Sequence, residues 1–295
     1  MIKYNLAMAQ KKVLVIFGNG FDLDLGWKTS FKDFYEAMRK NFEFYNGNPY
    51  IKNMIEGKYW YNLEGYLRNC IIKIDDSNLE SFNLFWQVCG DFMLDYLSKN
   101  LSQFDTNKNS CAYNFLQCIN DNTTVYTFNY TNPFEELGFK QPNIHFIHGK
   151  LAGAYNGSEL KLGVDTNVKN LSTLANNEKI KPIIKVDANT EKDSLIKELK
   201  DANTIIFYGH SLYITDSDYF KRFFEKISDN QICSKSLYIV TYDANGLQST
   251  KNNLEEYNIS FDDLEFSNNT INIVFTSQGV SSEAYKKMVN EFSGK

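Results

Sequence analysis

A strand-like apolar run that leads directly into a glycine turn is the feature that most constrains the fold of this chain. Val13 to Phe17 form an unbroken apolar run, and Gly18-Asn19-Gly20 follows it at once. A continuous run of this kind is typical of a parallel strand that is covered on both faces. Glycines after such a strand let the backbone turn sharply and approach a ligand closely. The alternative is a tight strand-to-helix turn without a ligand.

Three further strand-like runs also end in polar residues or glycine. The runs at 125–128, 144–147 and 205–208 lead into Asn129, His148 and the segment Gly209–Ser211. The carboxyl ends of parallel strands meet at one edge of a sheet, where open α/β folds bind their ligands. The sequence therefore predicts that these residues and the glycine turn form the rim of a single site.

Strands and helices alternate along most of the chain. Strand-like runs occur at 12–18, 124–130, 144–148, 203–209, 236–242 and 270–276, and helical periodicity occurs at 30–39, 190–201, 216–229 and 246–256. Residues 41–120 carry apolar residues at helical spacing, whereas 157–185 are expected to be a loop. This pattern predicts one Rossmann-like α/β domain over residues 11–295, a parallel sheet flanked by helices, with a helical insertion at about 41–120.

Composition excludes several classes of protein. The net charge of −5 argues against a basic nucleic-acid-binding surface. The chain has five cysteines but no CxxC pair and no signal peptide, which favours reduced thiols in the cytoplasm and no structural zinc. Apolar runs are too short to span a bilayer, so no membrane partner is expected.

The opening turn supplies four candidate binding residues, Gly18, Asn19, Gly20 and Asp22. It departs from the ordinary dinucleotide-binding fingerprint, because Leu23 stands at the third glycine position. No acidic residue ends a second strand about 20 residues further on, since that region has helical periodicity. The polar side chains of Asn19 and Asp22 at the strand exit strengthen the case for contact with a ligand, with a plain strand-to-helix turn as the alternative.

Asn129 and His148 are the candidate catalytic residues. A carboxamide can hold a water or a ribose hydroxyl without ionising, although Asn129 could equally cap its own turn. Imidazole titrates near neutral pH and can accept a proton from a hydroxyl group. His145 lies three residues earlier, on the opposite face of an extended strand, so we expect it to be structural and to form no metal pair with His148.

The turn after the strand-like run at 205–208 supplies Gly209, His210 and Ser211 as candidate binding residues, and Asp216 follows further on. Ser211 and its neighbouring amides could bind a phosphate or an adenine edge, whereas Asp216 could instead cap the following helix. A Ser–His–Asp hydrolase is excluded, because the sequence lacks a G-x-S-x-G elbow. Glu64 is a possible acid near the site, with a helix-surface charge as the favoured interpretation.

Four ordered motifs together resemble the AbiH family of bacterial phage-defence proteins. They are Gly18–Asp22 (Gly-Asn-Gly-Phe-Asp), Phe128–Thr131 (Phe-Asn-Tyr-Thr), Ile147–Gly149 (Ile-His-Gly), and Gly209–Leu212 with Asp216 (Gly-His-Ser-Leu…Asp). The segment from Trp60 to Glu64 resembles a further family element, and the resemblance runs from residue 13 to about 220. It implies a role in abortive infection.

A more distant similarity is to sirtuin-like domains, which share the order of a Gly-x-Gly turn, an Asn, a His and a Gly-x-Ser turn. This similarity implies that Asn129 orients a water or a ribose hydroxyl and that His148 takes a proton during hydrolysis of NAD+. It also implies that Gly18 and Gly20 approach the pyrophosphate of the nucleotide.

The similarity to sirtuin-like domains also implies that Gly209 and Ser211 contact the adenosine half of NAD+. Several residues depart from the sirtuin pattern: Asn19 and Phe21 replace small residues, and Thr131 stands where an Asp is expected. The sequence also lacks the paired CxxC motifs of the deacetylase zinc module, so protein deacetylation is not expected.

The leading hypothesis is an anti-phage protein that binds a nucleotide and hydrolyses NAD+ at the nicotinamide–ribose bond without a metal ion. A phage protein as trigger and a homo-oligomeric state are further expectations. One alternative is a non-catalytic module that senses a nucleotide. The other is a Mg²⁺-dependent nuclease-type hydrolase, which would need the carboxylates of Asp22, Glu64 and Asp216 to converge.

Overall fold

Six parallel strands form one open sheet in the computed structural model, which describes residues 12–40, 47–57, 59–75, 77–151 and 190–293. The strands are β1 (Val13–Phe17), β2 (Thr124–Thr127), β3 (Asn143–Phe146), β4 (Thr204–Tyr208), β5 (Ser236–Thr241) and β6 (Thr270–Phe275). Their order is β3-β2-β1-β4-β5-β6, and every neighbouring pair is parallel. The predicted α/β class is confirmed. The expected loop at 157–185 lies outside the described residues.

The strand order places a crevice at the carboxyl end of β1 and β4. Val15 of β1 lies opposite Val125 of β2 on one side and Ile206 of β4 on the other. From β1 the chain adds strands in one direction as far as β3, and then returns to add β4, β5 and β6 in the other. Connections from such a switch point diverge to opposite faces of the sheet and leave a cleft between them.

Helices cover both faces of the sheet. The α-helices of the described residues are α1 (Asn19–Asp24), α2 (Phe31–Arg39), α3 (Pro49–Glu56), α4 (Leu63–Ile71), α5 (Leu79–Asn100), α6 (Cys111–Leu116), α7 (Pro133–Glu136), α8 (Thr190–Asp201), α9 (Ser217–Ser228), α10 (Ala244–Glu256), α11 (Phe261–Phe266) and α12 (Glu283–Phe292). Leu14 and Ile16 of β1 pack into the core under α8 to α11. Val15 and Phe17 point to the other face, where α6 and α12 pack. Successive side chains of a strand point to opposite faces of the sheet. Because both faces are covered here, every position of β1 is apolar, which explains its continuous apolar run.

Helices α2 to α5 form a separate bundle between β1 and β2. They share a core in which Phe34, Ile51, Leu67 and Phe82 are buried. Helix α2 begins at the predicted capping box, because the Ser30 hydroxyl accepts a hydrogen bond from the N–H of Asp33 while the Asp33 carboxylate accepts from Ser30. Between residues 47 and 120, no strand occurs in the portion that the structure describes, as the periodicity predicted.

Several element boundaries differ from the sequence predictions. Strand β2 ends at Thr127 and β3 at Phe146, so Asn129 and His148 lie in the turns beyond the strands. Helix α1 begins directly at Asn19, where the sequence indicated only a turn. No helix in the described part of the chain has both the length and the apolar character needed to cross a membrane.

Candidate functional site

One cavity of about 670 Å³ opens at the crevice between β1 and β4. Its volume lies within the range of small-molecule sites, roughly 300–1,000 Å³. All ten residues that the sequence singled out line it: Gly18, Asn19, Gly20, Asp22, Asn129, His148, Gly209, His210, Ser211 and Asp216. The expected common rim is therefore observed, whereas the catalytic and binding roles of these residues stay predictions.

Three glycines allow the turn after β1 to pack against the turn after β4. A Cβ atom at Gly18 would lie 2.5 Å from the Cα of His210, and one at Gly20 would lie 2.7 Å from the Cα of Gly209. Gly209 also has a φ of +66°, a conformation that L side chains rarely adopt. Packing of the two turns thus accounts for the glycines without a ligand.

The backbone N–H groups of these glycines already have acceptors. Gly18 N donates to Tyr208 O at 3.0 Å, and Gly20 N donates to Gly209 O at 2.9 Å. Gly209 N donates to Val240 O at 2.8 Å. A phosphate could bind these three amides only if those hydrogen bonds were broken, which differs from the usual glycine loop of nucleotide-binding folds.

A buried network joins the turn after β2 to α1. Asn129 Nδ2 donates to Gly18 O at 3.0 Å and to Asp22 Oδ1 at 2.9 Å, and Thr131 Oγ1 donates to Asp22 Oδ2 at 2.6 Å. Burial raises the pKa of Asp22 to about 7, although the hydrogen bonds from Thr131 and Asn129 oppose the rise. Both amide hydrogens of Asn129 are used, so only its Oδ1 can serve a ligand, as an acceptor.

Asp216 lies between two buried imidazoles. Its Oδ1 is 3.3 Å from Nε2 of His148, and its Oδ2 is 3.5 Å from Nε2 of His210. All three side chains are at least nine-tenths buried. Nε2 of His148 forms no hydrogen bond of good geometry. A carboxylate in this position can orient an imidazole and stabilise its protonated form.

The tautomer of His210 follows from its backbone contact. The N–H of Leu212 donates to His210 Nδ1 at 3.0 Å, so that nitrogen is unprotonated. The proton of neutral His210 therefore lies on Nε2, directed toward Asp216. Phe128 packs edge to face on both imidazoles, with ring centroids 5.1 Å from His148 and 4.4 Å from His210. Nε2 of His210 is thus oriented toward Asp216, and the catalytic role of His148 stays a prediction.

The helical bundle closes the cavity through two polar links to the segment after β4. Asn62 Nδ2 donates to the Tyr213 hydroxyl at 2.7 Å, and Thr215 Oγ1 donates to Glu64 Oε2 at 2.6 Å. Glu64 lines the cavity, so the favoured interpretation of a helix-surface charge is wrong. Asp216 occupies the N-cap position of α9, as the capping alternative predicted, but its side chain makes no capping hydrogen bond.

Sequence reasoning missed two walls of the cavity. Helix α10 contributes a polar stripe of Ser249, Asn252, Asn253 and Glu256, and α2 and α5 contribute an apolar wall of Phe31, Phe34, Met93, Tyr96 and Leu97. The stripe follows the helical spacing i, i+3, i+4 and i+7, which alone cannot distinguish a solvent face from a cavity face. The apolar wall has the pattern of an ordinary core.

His145 behaves as expected and lies outside the cavity. Its ring stacks on Tyr126 with centroids 4.5 Å apart, and its Nδ1 is 2.7 Å from Glu191 Oε2. The rings of His145 and His148 therefore have different neighbours. Among the described residues, no three His, Cys, Asp or Glu side chains are arranged to hold a metal ion, so Asp22, Glu64 and Asp216 share a cavity without forming such a group.

Comparison with known proteins assigns the chain to a family. No curated protein matches this sequence. A family model described as bacteriophage abortive infection AbiH matches residues 87–238, just over half of the chain. The match includes Asn129, His148, the turn at 209–212 and Asp216, whereas the opening turn at 18–22 precedes it. The chain therefore belongs to the AbiH family, the bacteriophage abortive infection proteins.

Proposed function

We propose that this AbiH protein is an enzyme that hydrolyses NAD+ at the bond between nicotinamide and ribose. The observation that carries the proposal is the placement of His148 beside Asp216 in the same cavity as Asn129. A base held by a carboxylate, next to a hydrogen-bond acceptor, is the arrangement needed to activate a water and hold a ribose hydroxyl.

The chemistry follows from the groups that line the cavity. The oxygen of a water bonds to C1′ of the ribose while the bond from C1′ to the nicotinamide nitrogen breaks, and the electron pair leaves with nicotinamide. His148 accepts the proton of the water, and Asp216 stabilises the resulting imidazolium. The ribose carries positive charge in the transition state, which the carboxylate of Glu64 on the cavity wall stabilises.

Asn129 is assigned to the ribose. Its amide hydrogens are donated to Gly18 O and Asp22, so the side chain has a fixed orientation before a substrate binds. Its Oδ1 then accepts a hydrogen bond from a ribose hydroxyl or from the attacking water. Preorganised contacts of this kind lower the barrier because no reorganisation is needed during the reaction.

The test is NAD+ consumption by the purified protein, with and without phage lysate and with and without EDTA. We expect turnover that EDTA does not abolish, and a loss of about 100-fold or more in His148→Ala and Asn129→Ala. His145→Ala is the matched control, since it removes the same ring outside the cavity. It should keep its activity, with the fold of each variant checked by circular dichroism.

Each other outcome points to a different function. Turnover that survives in folded His148→Ala contradicts the proposed base. Turnover lost on addition of EDTA and restored by Mg²⁺ favours the nuclease-type alternative. Binding of NAD+ without turnover under any of these conditions favours a nucleotide-sensing module.

A further inference from the structure

The charges that line the cavity are acidic on several sides. Glu64 and Asp216 lie on the side of the turns and of α4, and Glu256 lies on α10. Neither lysine nor arginine occurs among the lining residues within the described ranges. A concave site lined by one sign of charge concentrates ligands of the opposite sign and repels those of the same sign. This lining disfavours a phosphate and favours a neutral or cationic group.

Rossmann-like folds bind phosphate through backbone N–H groups, and several of those groups already donate hydrogen bonds within this protein. The amides of Gly18 and Gly20 donate to Tyr208 O and Gly209 O, so the turn after β1 has no pair of free N–H groups to offer at those positions. Helix N-termini bind anions through their unsatisfied amides and their dipole. Helix α9, after β4, has Asp216 at its N-cap.

Helix α10, after β5, is capped by a carboxylate through hydrogen bonds. The Asp243 carboxylate accepts from the N–H groups of Asn245 and Gly246 at 2.9 and 3.0 Å. A carboxylate already occupies the place where a phosphate oxygen would bind. The helices after β4 and β5 therefore both carry an acidic residue at the N-terminus, and in α10 the carboxylate occupies the amides that would bind an anion.

The remaining surfaces suit a base and a sugar. Phe31, Phe34 and Leu97 offer an apolar wall on which a planar ring can pack, and Ser249 and Asn252 of α10 offer donors and acceptors for hydroxyl groups. His148 lines the same cavity, with its Nε2 3.3 Å from Oδ1 of Asp216. These features describe a site for a ribosyl group with a neutral or cationic base.

We propose that the cavity recognises the base and the ribosyl group of its ligand without contacting phosphate, and that phosphate groups of the ligand lie outside the cavity. The choice of nicotinamide compounds as probes rests on the proposed function. The ligand class itself rests on the charges and hydrogen bonds of the cavity. A phosphate directly attached to the ribose then weakens binding, whereas a ribosyl group alone is sufficient for it.

The experiment compares nicotinamide riboside, nicotinamide mononucleotide and NAD+. Turnover is measured with the wild-type protein, and binding is measured by calorimetry with His148→Ala. We expect kcat/KM of the riboside to lie within about tenfold of that of NAD+, and the mononucleotide to be the poorest of the three, because its terminal phosphate monoester carries more negative charge than either phosphate of the NAD+ pyrophosphate. A riboside that binds and reacts at least about 100-fold more weakly than NAD+ overturns the inference, because phosphate contacts would then supply the affinity.

A charge reversal tests whether the acidic lining causes the preference for the riboside over the mononucleotide. Glu256→Lys should lower the riboside-to-mononucleotide ratio of binding constants about tenfold, because it replaces a repulsive charge by an attractive one. Glu255→Lys is the matched control, since its side chain is on the same helix but does not line the cavity. A ratio that is unchanged in Glu256→Lys overturns the electrostatic explanation. Glu256→Gln, which should shift the ratio in the same direction by less, serves if the lysine variant does not fold.

The outcomes separate the two proposals. If no compound is cleaved but the riboside binds His148→Ala as well as NAD+ does, the ligand class stands and the proposed hydrolysis fails. If NAD+ is cleaved and the riboside is neither bound nor cleaved, the hydrolysis stands and the ligand class fails.

Discussion

The floor of the cavity and its helical walls are built in different ways. The floor consists of the turns after β1, β2 and β4, where buried side chains such as Asp22 and Asn129 are held by hydrogen bonds within the protein. The walls consist of the cavity faces of α2, α4, α5 and α10, where polar residues such as Asn252 and Glu256 are exposed. Folding therefore fixes the geometry of the floor, whereas the walls present groups that a ligand can still engage.

The largest effect is expected where the two turns of the floor touch. In Gly209→Ala the new methyl group would overlap the backbone at Phe21 N and lie 2.6 Å from Gly20 Cα. Neither backbone segment can move without breaking hydrogen bonds of β1 and β4. We expect a loss of about 4 kcal/mol or more in the free energy of unfolding, measured by urea denaturation.

Gly138→Ala separates this overlap from backbone strain. Gly138 has nearly the same φ, +68°, but a Cβ there meets nothing within 4 Å. Its substitution should lower stability by only about 1 kcal/mol, the strain of a left-handed residue. Equal losses in the two variants would show that the turns of the floor are not in close contact.

The second effect concerns the buried carboxyl group of the floor. The pKa of Asp22 is raised from 3.8 to about 7 by burial, so the folded state binds the proton more tightly than the unfolded state. Its contribution to stability is complete below pH 4 and is lost as the pH rises through 7, with a slope of up to about 1.4 kcal/mol per pH unit. Asp22→Asn removes that slope.

At pH 8 we therefore expect Asp22→Asn to be more stable than the wild type by on the order of 3 kcal/mol, and at pH 4 to be nearly equal to it. The amide keeps one oxygen to accept from Asn129, and the Thr131 hydroxyl can turn to accept from its NH₂ group. Chemical denaturation across this pH range is the measurement. Parallel stability curves for the two proteins would contradict a raised pKa.

Much of the floor could be predicted from the sequence because its signals are local. The apolar run at 13–17 predicts a buried strand, and polar residues at strand ends predict a shared edge, as observed for Asn129, His148 and Asp216. The network between Asp22 and Asn129 could not be predicted, since it joins side chains 107 positions apart. Its geometry depends on how two separate turns pack.

The walls could not be predicted, because the same periodicity serves a core and a cavity. Phe34 and Met93 have the spacing of buried residues, and they do pack in the bundle core while also lining the cavity. Glu64 was assigned to the surface because a charged helical residue usually lies there. Only the docking of the bundle onto the segment after β4 shows that this helix end closes the cavity.

The smallest effect tests that docking. Tyr213→Phe removes the hydroxyl that accepts from Asn62 Nδ2, while the aromatic ring is kept. Asn62 also caps α4 by accepting from Gly65 N at 2.8 Å, so its amide group stays in place and loses one partner. We expect a loss of about 1 kcal/mol in the free energy of unfolding, as for a part-buried donor without its acceptor.

Tyr242→Phe is the comparison for this change, because Tyr242 is 67% exposed and does not line the cavity. It should alter stability by less than about 0.5 kcal/mol. If the two phenylalanine variants unfold alike, the hydrogen bond to Asn62 does not hold the wall to the floor. The wall would then be placed by the Thr215–Glu64 link and apolar packing alone. A measurable difference instead means that the walls are partly fixed by folding, and that the contrast with the floor is one of degree.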